Sequence, residues 1–586
     1  MKPFLACVGQ LTGTPPMAWT ARLSTIAAAA LLAACSSTPL PPWPSSSPGT
    51  TASAPAPVPA PATPPADTIA SQAVASTLLA PLPYSAAVAA RFPDPATHYE
   101  TPGLQAGRSN FTTQTEMAQW LRELANKSLG SNTLLGLVTA GMSQRGEPIQ
   151  ALVATRAPSI EPRALDAQGL PTVMLVGQQH GDEPAGSEAL LLIAREFAPG
   201  GLLEPLLARI NVVIVARANP DGALAGQRTT ANGVDMAHDH LLLRTPEAQA
   251  LAALTHGYHP MVVLDAGEFS VIEPYLQKFK ALPRHDVLLQ YAGTANVHEF
   301  ITKAAREWLH APMKAALQNA QLSSDWYYTP SADPQDLSLS MDSIAPDTLT
   351  NVNALRNALG LVVKTRGAGI GHTHLQRRVH SQVVAISSAL HSAAERAAEL
   401  SQVQSFVRRD IASHACRNQL VVQAAQTPQQ REVTMLQPDT GADYAVKVHW
   451  NSSLTLRPLT SRIRPCGYWL ATEATTAAER LEQLGLQVLR VAESAPLIAD
   501  AYTALTPSEA SASTRRVQVT PTRGAVDAAP GSFYVPMNQP GAHLVAAALE
   551  PDTAYSFFAH HVVGNLTDVA RIMGKPSLVF EEEFGD

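Results

Sequence analysis

Four short apolar runs constrain this chain more than anything else in it: Thr172–Val176, Val212–Ala216, Val262–Asp265 and Leu361–Val363. Each has the length of a strand and lacks the alternation of a strand with one wet face, so each is expected to be buried on both sides. Helical patterns lie between them, Ala185–Phe197 and Pro246–Thr255 among them. This succession predicts an α/β fold, a mixed and largely parallel sheet with helices on both faces. Upstream, Thr113-x-x-Glu116 has the form of a capping box opening a helix through Trp120, Leu121 and Leu124. Leu134–Thr139 and Ile149–Thr155 alternate around Gly146-Glu-Pro148 and read as a hairpin. A helix over Gln382–Gln402 closes this region, which gives a domain over 100–400. Strand signals at Asp443–His449 and Ser532–Val535, with a helical piece at Ala477–Leu484, predict a smaller α+β domain over 405–586.

The first hundred residues follow different rules. Arg22 precedes the apolar run Leu23–Leu32, and Ala33-Ala34-Cys35 follows it, the order of an export signal. The Leu-Ala-Ala-Cys ending resembles the lipobox of bacterial lipoproteins. That resemblance implies a signal over 1–35, acylation of Cys35 and, with Ser36 next to it, an outer-membrane anchor facing the periplasm. The alternative is a plain signal peptide with an incidental cysteine. Met17 would be a more typical start, which would make residues 1–16 an artefact of an upstream start site. Residues 36–66 are nearly all Pro, Ser, Ala and Thr, too poor in burial to offset their ordering entropy. A disordered, partly polyproline spacer is expected over 36–85. Cys416 and Cys466 remain, and in an oxidising compartment they are either a disulfide or two buried thiols. A formal net charge of -7 argues against nucleic acid as a partner. No apolar run reaches the roughly eighteen residues of a spanning helix, so the lipid is the expected route to a membrane.

In a sheet of this kind ligands bind beyond the carboxyl ends of the strands. After the first buried run comes Gly177-Gln-Gln-His180-Gly-Asp-Glu183-Pro, where a His and a Glu on one turn can reach one cation. With 18 His in the chain, chance alone should produce roughly one such spacing, so position carries the weight. The second run ends in Ala218-Asn-Pro-Asp-Gly222, followed by Arg228 and Gly233-Val-Asp-Met236.

This order of motifs resembles the metallocarboxypeptidase family, the funnelins, over roughly 100–400. The resemblance implies a zinc-carboxypeptidase-like fold, zinc as cofactor, His180 and Glu183 as zinc ligands, and Arg228 as the group steadying the oxyanion. Three family positions differ. Where the family has Asn-Arg to grip a substrate carboxylate, this chain has Ala237-His238, and an imidazole lacks the guanidinium fork. Where the third zinc ligand should stand, Asp265-Ala-Gly267-Glu268 places Gly267. Where the general-base glutamate should follow Leu361-Val-Val363, the residue is Lys364, whose ammonium cannot accept a proton at neutral pH. Zinc is therefore expected to bind weakly or not at all. Glu268 should point away on the opposite strand face, and His238 or His240 would have to cross the site to replace the missing ligand. The changes balance in charge, so Lys364 is expected to approach the metal position and pair with Glu183. Unlinked decay of an unused site is the other reading.

Plainer roles are expected elsewhere: loop or surface histidines at His256 and His259, internal salt bridges rather than a place in the cleft at Arg356 and Arg366, core or rim packing rather than a substrate wall at Trp326-Tyr327-Tyr328. Three functions fit these residues. The first is a pseudo-peptidase lipoprotein whose cleft holds peptides or peptidoglycan stem peptides. The second is an active metallocarboxypeptidase with a rebuilt site, and the third a scaffold acting through its C-terminal region.

Overall fold

The computed structural model describes residues 83–505, 509–510 and 514–581. The expected signal, Cys35 and the spacer as far as residue 82 lie outside the described residues. Tyr84 and Ser85, which composition assigns to the spacer, are already packed. The Ser85 hydroxyl donates to the Pro438 carbonyl at 2.6 Å and accepts from Val88 N, capping the short helix Ala86–Ala89.

All four buried runs form strands of one eight-stranded mixed sheet. Its spatial order is Leu134–Met142, Pro148–Thr155, Asn211–Val215, Thr172–Gly177, Val262–Ser270, Leu359–Ala368, Val287–Tyr291, Ser324–Trp326. The four runs sit at its centre, parallel to one another where they pair. The hairpin at Leu134–Met142 and Pro148–Thr155 pairs antiparallel at one edge, as its alternation predicts. Thr113 and Glu116 make the reciprocal capping box that opens the helix Gln114–Lys127. The two sheet faces have separate cores. One joins Leu175, Leu264 and Val363 to Leu190 and Leu390 from the helices Pro184–Glu196 and Leu375–Glu395. The other joins Met174, Val215 and Val263 to Leu251 and Leu254 of Pro246–Tyr258, and to Leu349.

The expected helix over 382–402 is two helices, Leu375–Glu395 and Ala397–Ser413, because Arg396 leaves the helical backbone between them. The anticipated boundary near 400–405 thus falls within a helix, and the described residues on its two sides belong to one compact unit. Beyond that helix, Gln419–Leu436 and Asp443–Ile463 make a long antiparallel ribbon, far longer than its sequence signal at 443–449. The ribbon's second strand pairs parallel with Ser338–Met341, Ser340 facing Asn451. A disulfide joins Cys416 to Cys466, S–S 2.01 Å, at the base of the ribbon. A six-stranded sheet follows, including Gly467–Leu470, Phe533–Pro536 and Val569–Ile572, with the helices Thr475–Gln483 and Ala542–Leu549.

Candidate functional site

The turn after Thr172–Gly177 brings His180 and Glu183 to the carboxyl end of the sheet. This turn lies directly on the Asn219-Pro-Asp-Gly222 turn: a Cβ at Gly181 would sit 1.9 Å from the Gly222 carbonyl carbon. Only glycine at 181 allows the two loops to close together. Glu183 is the N-cap of Pro184–Glu196, and its carboxylate points back into the site instead of capping the helix.

His180 uses both ring nitrogens. Nδ1 lies 2.7 Å from Glu183 Oε1 and Nε2 lies 2.9 Å from Asp235 Oδ1. Two carboxylate acceptors on one imidazole favour the imidazolium. Burial opposes that charge, but Glu183 and then Asp235 outweigh it and raise His180 to about 9. Burial pushes Glu183 up as well, yet Lys364 and His180 bring it down to about 2. Arg228 closes the group, with Nε 3.0 Å from Asp235 Oδ2 and a terminal nitrogen 3.6 Å from Glu183 Oε1.

Lys364 enters from the next strand. The parallel register sets it beside Gly267, so both face the site. Its ammonium lies 3.0 Å from Asp265 Oδ2 and 3.6 Å from Glu183 Oε2, and its side chain is 6% exposed. Asp265 is thus the nearer partner, one that the sequence reading did not include. It stands two residues before Gly267 and therefore on the same strand face. Burial alone would lower the lysine, but Asp265 and Glu183 hold it above its ordinary value, so it stays charged. A Cβ on residue 267 would sit 2.2 Å from the Lys364 nitrogen and 2.5 Å from Glu183 Oε2. The ammonium therefore occupies the space through which a side chain at 267 would reach Glu183.

The candidate substitutes for a third ligand are engaged elsewhere. Glu268 points to the other sheet face and takes two hydrogen bonds from Arg378, 2.7 and 2.8 Å long. His238 Nδ1 lies 3.2 Å from Asp347 Oδ1. His240 Nε2 donates to Gln179 Oε1 at 2.6 Å, and Gln179 Nε2 donates to Asp265 Oδ1 at 2.8 Å. Burial lowers His240 to about 4. These donors do not suit zinc. An imidazolium has no lone pair to offer, one carboxylate remains, and a fixed ammonium stands beside it. Among the described residues no group of three His, Cys, Asp or Glu is placed to hold a metal ion.

Tyr327 shares the wall of this pocket with Asp342 and Thr350, and the pocket has a volume of about 50 Å³. The aromatic triplet thus divides. Tyr328 is core, and Trp326 stacks on His310 with ring centroids 4.4 Å apart. His256, inside Pro246–Tyr258, and His259, which caps that helix in a left-handed conformation, are both exposed, as surface histidines are expected to be. Arg356 and Arg366 do not form the expected salt bridges among the described residues. Arg356 donates to the Thr255 hydroxyl, and Arg366 lies 3.5 Å over the Phe92 ring while donating to the Pro283 carbonyl. The aromatic face takes the place of a carboxylate there.

The sequence profile of zinc carboxypeptidases matches residues 117–338. Over that span the chain has the sequence pattern of the metallocarboxypeptidase family. The family match includes His180, Glu183, Arg228 and Gly267 and ends before Lys364. A carboxypeptidase 2 of Trichophyton rubrum is 26% identical over 477 residues, 79% of this chain and 86% of that protein. Carboxypeptidase D of Mus musculus is 35% identical over 111 residues, 17% of this chain and 8% of that one. Among solved structures, a metallo-carboxypeptidase from Burkholderia cenocepacia is 17% identical. It covers 48% of this chain and 68% of its own, with a TM-score of 0.35.

Proposed function

We propose that this metallocarboxypeptidase-family chain is a pseudo-peptidase: it holds peptides or the stem peptides of peptidoglycan in its cleft without zinc-dependent hydrolysis. One observation carries the reading. The Lys364 ammonium fills the space between Gly267 and Glu183 and is held there by two carboxylates. The loss of a base at 364 and of a ligand at 267 then forms one structural exchange, a fixed cation for a mobile one. The lipobox-like Leu-Ala-Ala-Cys35 and the Pro-rich stretch behind it support export and a lipid anchor at the outer membrane, with the cleft in the periplasm.

The rival reading, an active carboxypeptidase with a rebuilt site, is favoured by the retention of His180, Glu183 and Arg228 around one pocket. A carboxypeptidase assay with zinc supplied, beside a peptide-binding titration of the same preparation, separates the two. The pseudo-peptidase reading expects binding without release of the terminal residue. Turnover that is abolished by His180→Ala would overturn it.

A further inference from the structure

The charges around the 50 Å³ pocket do not balance. Each cation there already has a carboxylate partner: His180 with Glu183 and Asp235, Arg228 with Asp235, Lys364 with Asp265, His238 with Asp347. No cation is left over for an incoming anion. One carboxylate is left over. Asp342 lines the pocket, and among the described residues no cation lies within ion-pair distance of it. Among the described residues its carboxylate accepts one hydrogen bond, from the neighbouring Ser343 N at 2.8 Å.

The long ribbon holds Asp342 in this position. Gln426 Nε2 donates to the carbonyls of Met341 and Asp342, at 3.0 and 3.3 Å, and to the Ser453 hydroxyl at 2.8 Å. Ser453 Oγ in turn donates to the Asp342 carbonyl at 2.8 Å. The parallel pairing of Ser338–Met341 with the ribbon continues the same clamp. A segment gripped on its backbone by three hydrogen bonds keeps its side chain aimed. Burial raises Asp342 to about 6, with the Ser343 N–H and Lys364 opposing that rise, as expected of a carboxylate lacking a direct counter-ion.

We propose that the pocket takes a ligand group that donates N–H bonds, an ammonium above all, and rejects a free carboxylate, with Asp342 as its specificity-determining residue and Gln426 and Ser453 as the residues that position it. An ammonium neutralises the one unpaired charge. A carboxylate would have to break an internal ion pair to find a cation and would face Asp342 besides. A volume of about 50 Å³ admits one such small group and no more. The C-terminal ribbon is then part of the ligand cleft.

This inference rests on the peptide-binding reading, and one experiment distinguishes their failures. Three peptides of identical sequence are titrated into the full-length protein at neutral pH and moderate salt: one ending in a free acid, one in a primary amide, one in a 2-aminoethylamide. The expected order is aminoethylamide, then amide, then acid, with at least about tenfold between the first and last. Asp342→Asn should bring the three within about threefold. The paired variant Gln426→Leu with Ser453→Ala should narrow the spread while leaving the melting temperature within a few degrees. An acid that binds as tightly as the amine overturns the inference and leaves the peptide-binding reading standing. If none of the three binds, the reading fails and the inference with it. A wild-type order that persists unchanged in Asp342→Asn removes Asp342 from the role.

Discussion

Gly267 and Glu268 are adjacent on one strand and look out on two ion systems of different design. Behind Glu268, one carboxylate meets one guanidinium. Arg378 grips it with two parallel hydrogen bonds, and both side chains are at most 1% exposed. In front of Gly267, three cations and three carboxylates share partners around a pocket, His238 pairs apart with Asp347, and Asp342 has no such partner among the described residues. The first is closed and complete, as a structural pair must be to tolerate burial. The second is distributed and faces space. Burial of charge alone therefore does not mark a functional site in this molecule. On the reading proposed above, an unfinished charge balance beside a cavity does.

Removing one cation from each system tests that contrast most strongly. Arg378→Met strands Glu268 with no second counter-ion, and a loss of about 3–5 kcal/mol is expected from denaturant midpoints. Lys364→Met leaves Glu183 with His180 and Arg228, and leaves Asp265 with the Gln179 amide. The loss should be smaller, about 2 kcal/mol. Equal losses would mean that the network in front is no more shared than the pair behind. A smaller step comes from Gly267→Ala. Its new Cβ must displace the Lys364 nitrogen and crowd Glu183, at an expected cost of about 1–3 kcal/mol. In a Lys364→Met background the collision with the ammonium is gone, so the double-mutant cycle should show coupling of about 1 kcal/mol or more. Additive losses would show that the ammonium does not sit where the geometry places it.

These tests fall on the part of the site that sequence made visible least evenly. The buried strands were legible because both their faces are dry, which leaves a run of Val, Ile and Leu that few other structures produce. His180 and Glu183 are legible from their place just after such a run, whereas Arg228, Gly267 and Lys364 stand out only through the resemblance to the family's motifs. Asp265 was passed over, although its place two residues before Gly267 on a paired strand puts it on the same face. Asp342 carried no local signal at all. It reaches the pocket through contacts with Gln426 and Ser453, 84 and 111 residues further along the chain, and sequence periodicity reports nothing at that range. The split of the expected helix at Arg396 was hidden for a related reason: the apolar pattern runs on past it in both directions.

The mildest test uses pH. His180 is raised in the folded protein, so its favourable contribution is fully present below the ordinary histidine range near 6.5 and is lost as pH rises through about 9. Stability should fall over that window by about 2–3 kcal/mol. His180→Asn should flatten the fall, whereas Arg378→Met, which carries no group titrating there, should leave its slope unchanged. A slope indifferent to His180 would mean that the imidazolium is not the partner of Glu183 and Asp235.

The central claim is that a lysine ammonium stands where the family's fold would place a metal, and metal content tests it most directly. Purified wild-type protein and the Gly267→His, Lys364→Glu double variant are equilibrated with one equivalent of zinc, desalted and assayed by elemental analysis. The wild type should retain well under one-tenth of an equivalent and the double variant close to one. A wild-type protein that keeps a full equivalent of zinc, and loses it on His180→Ala, would contradict the account.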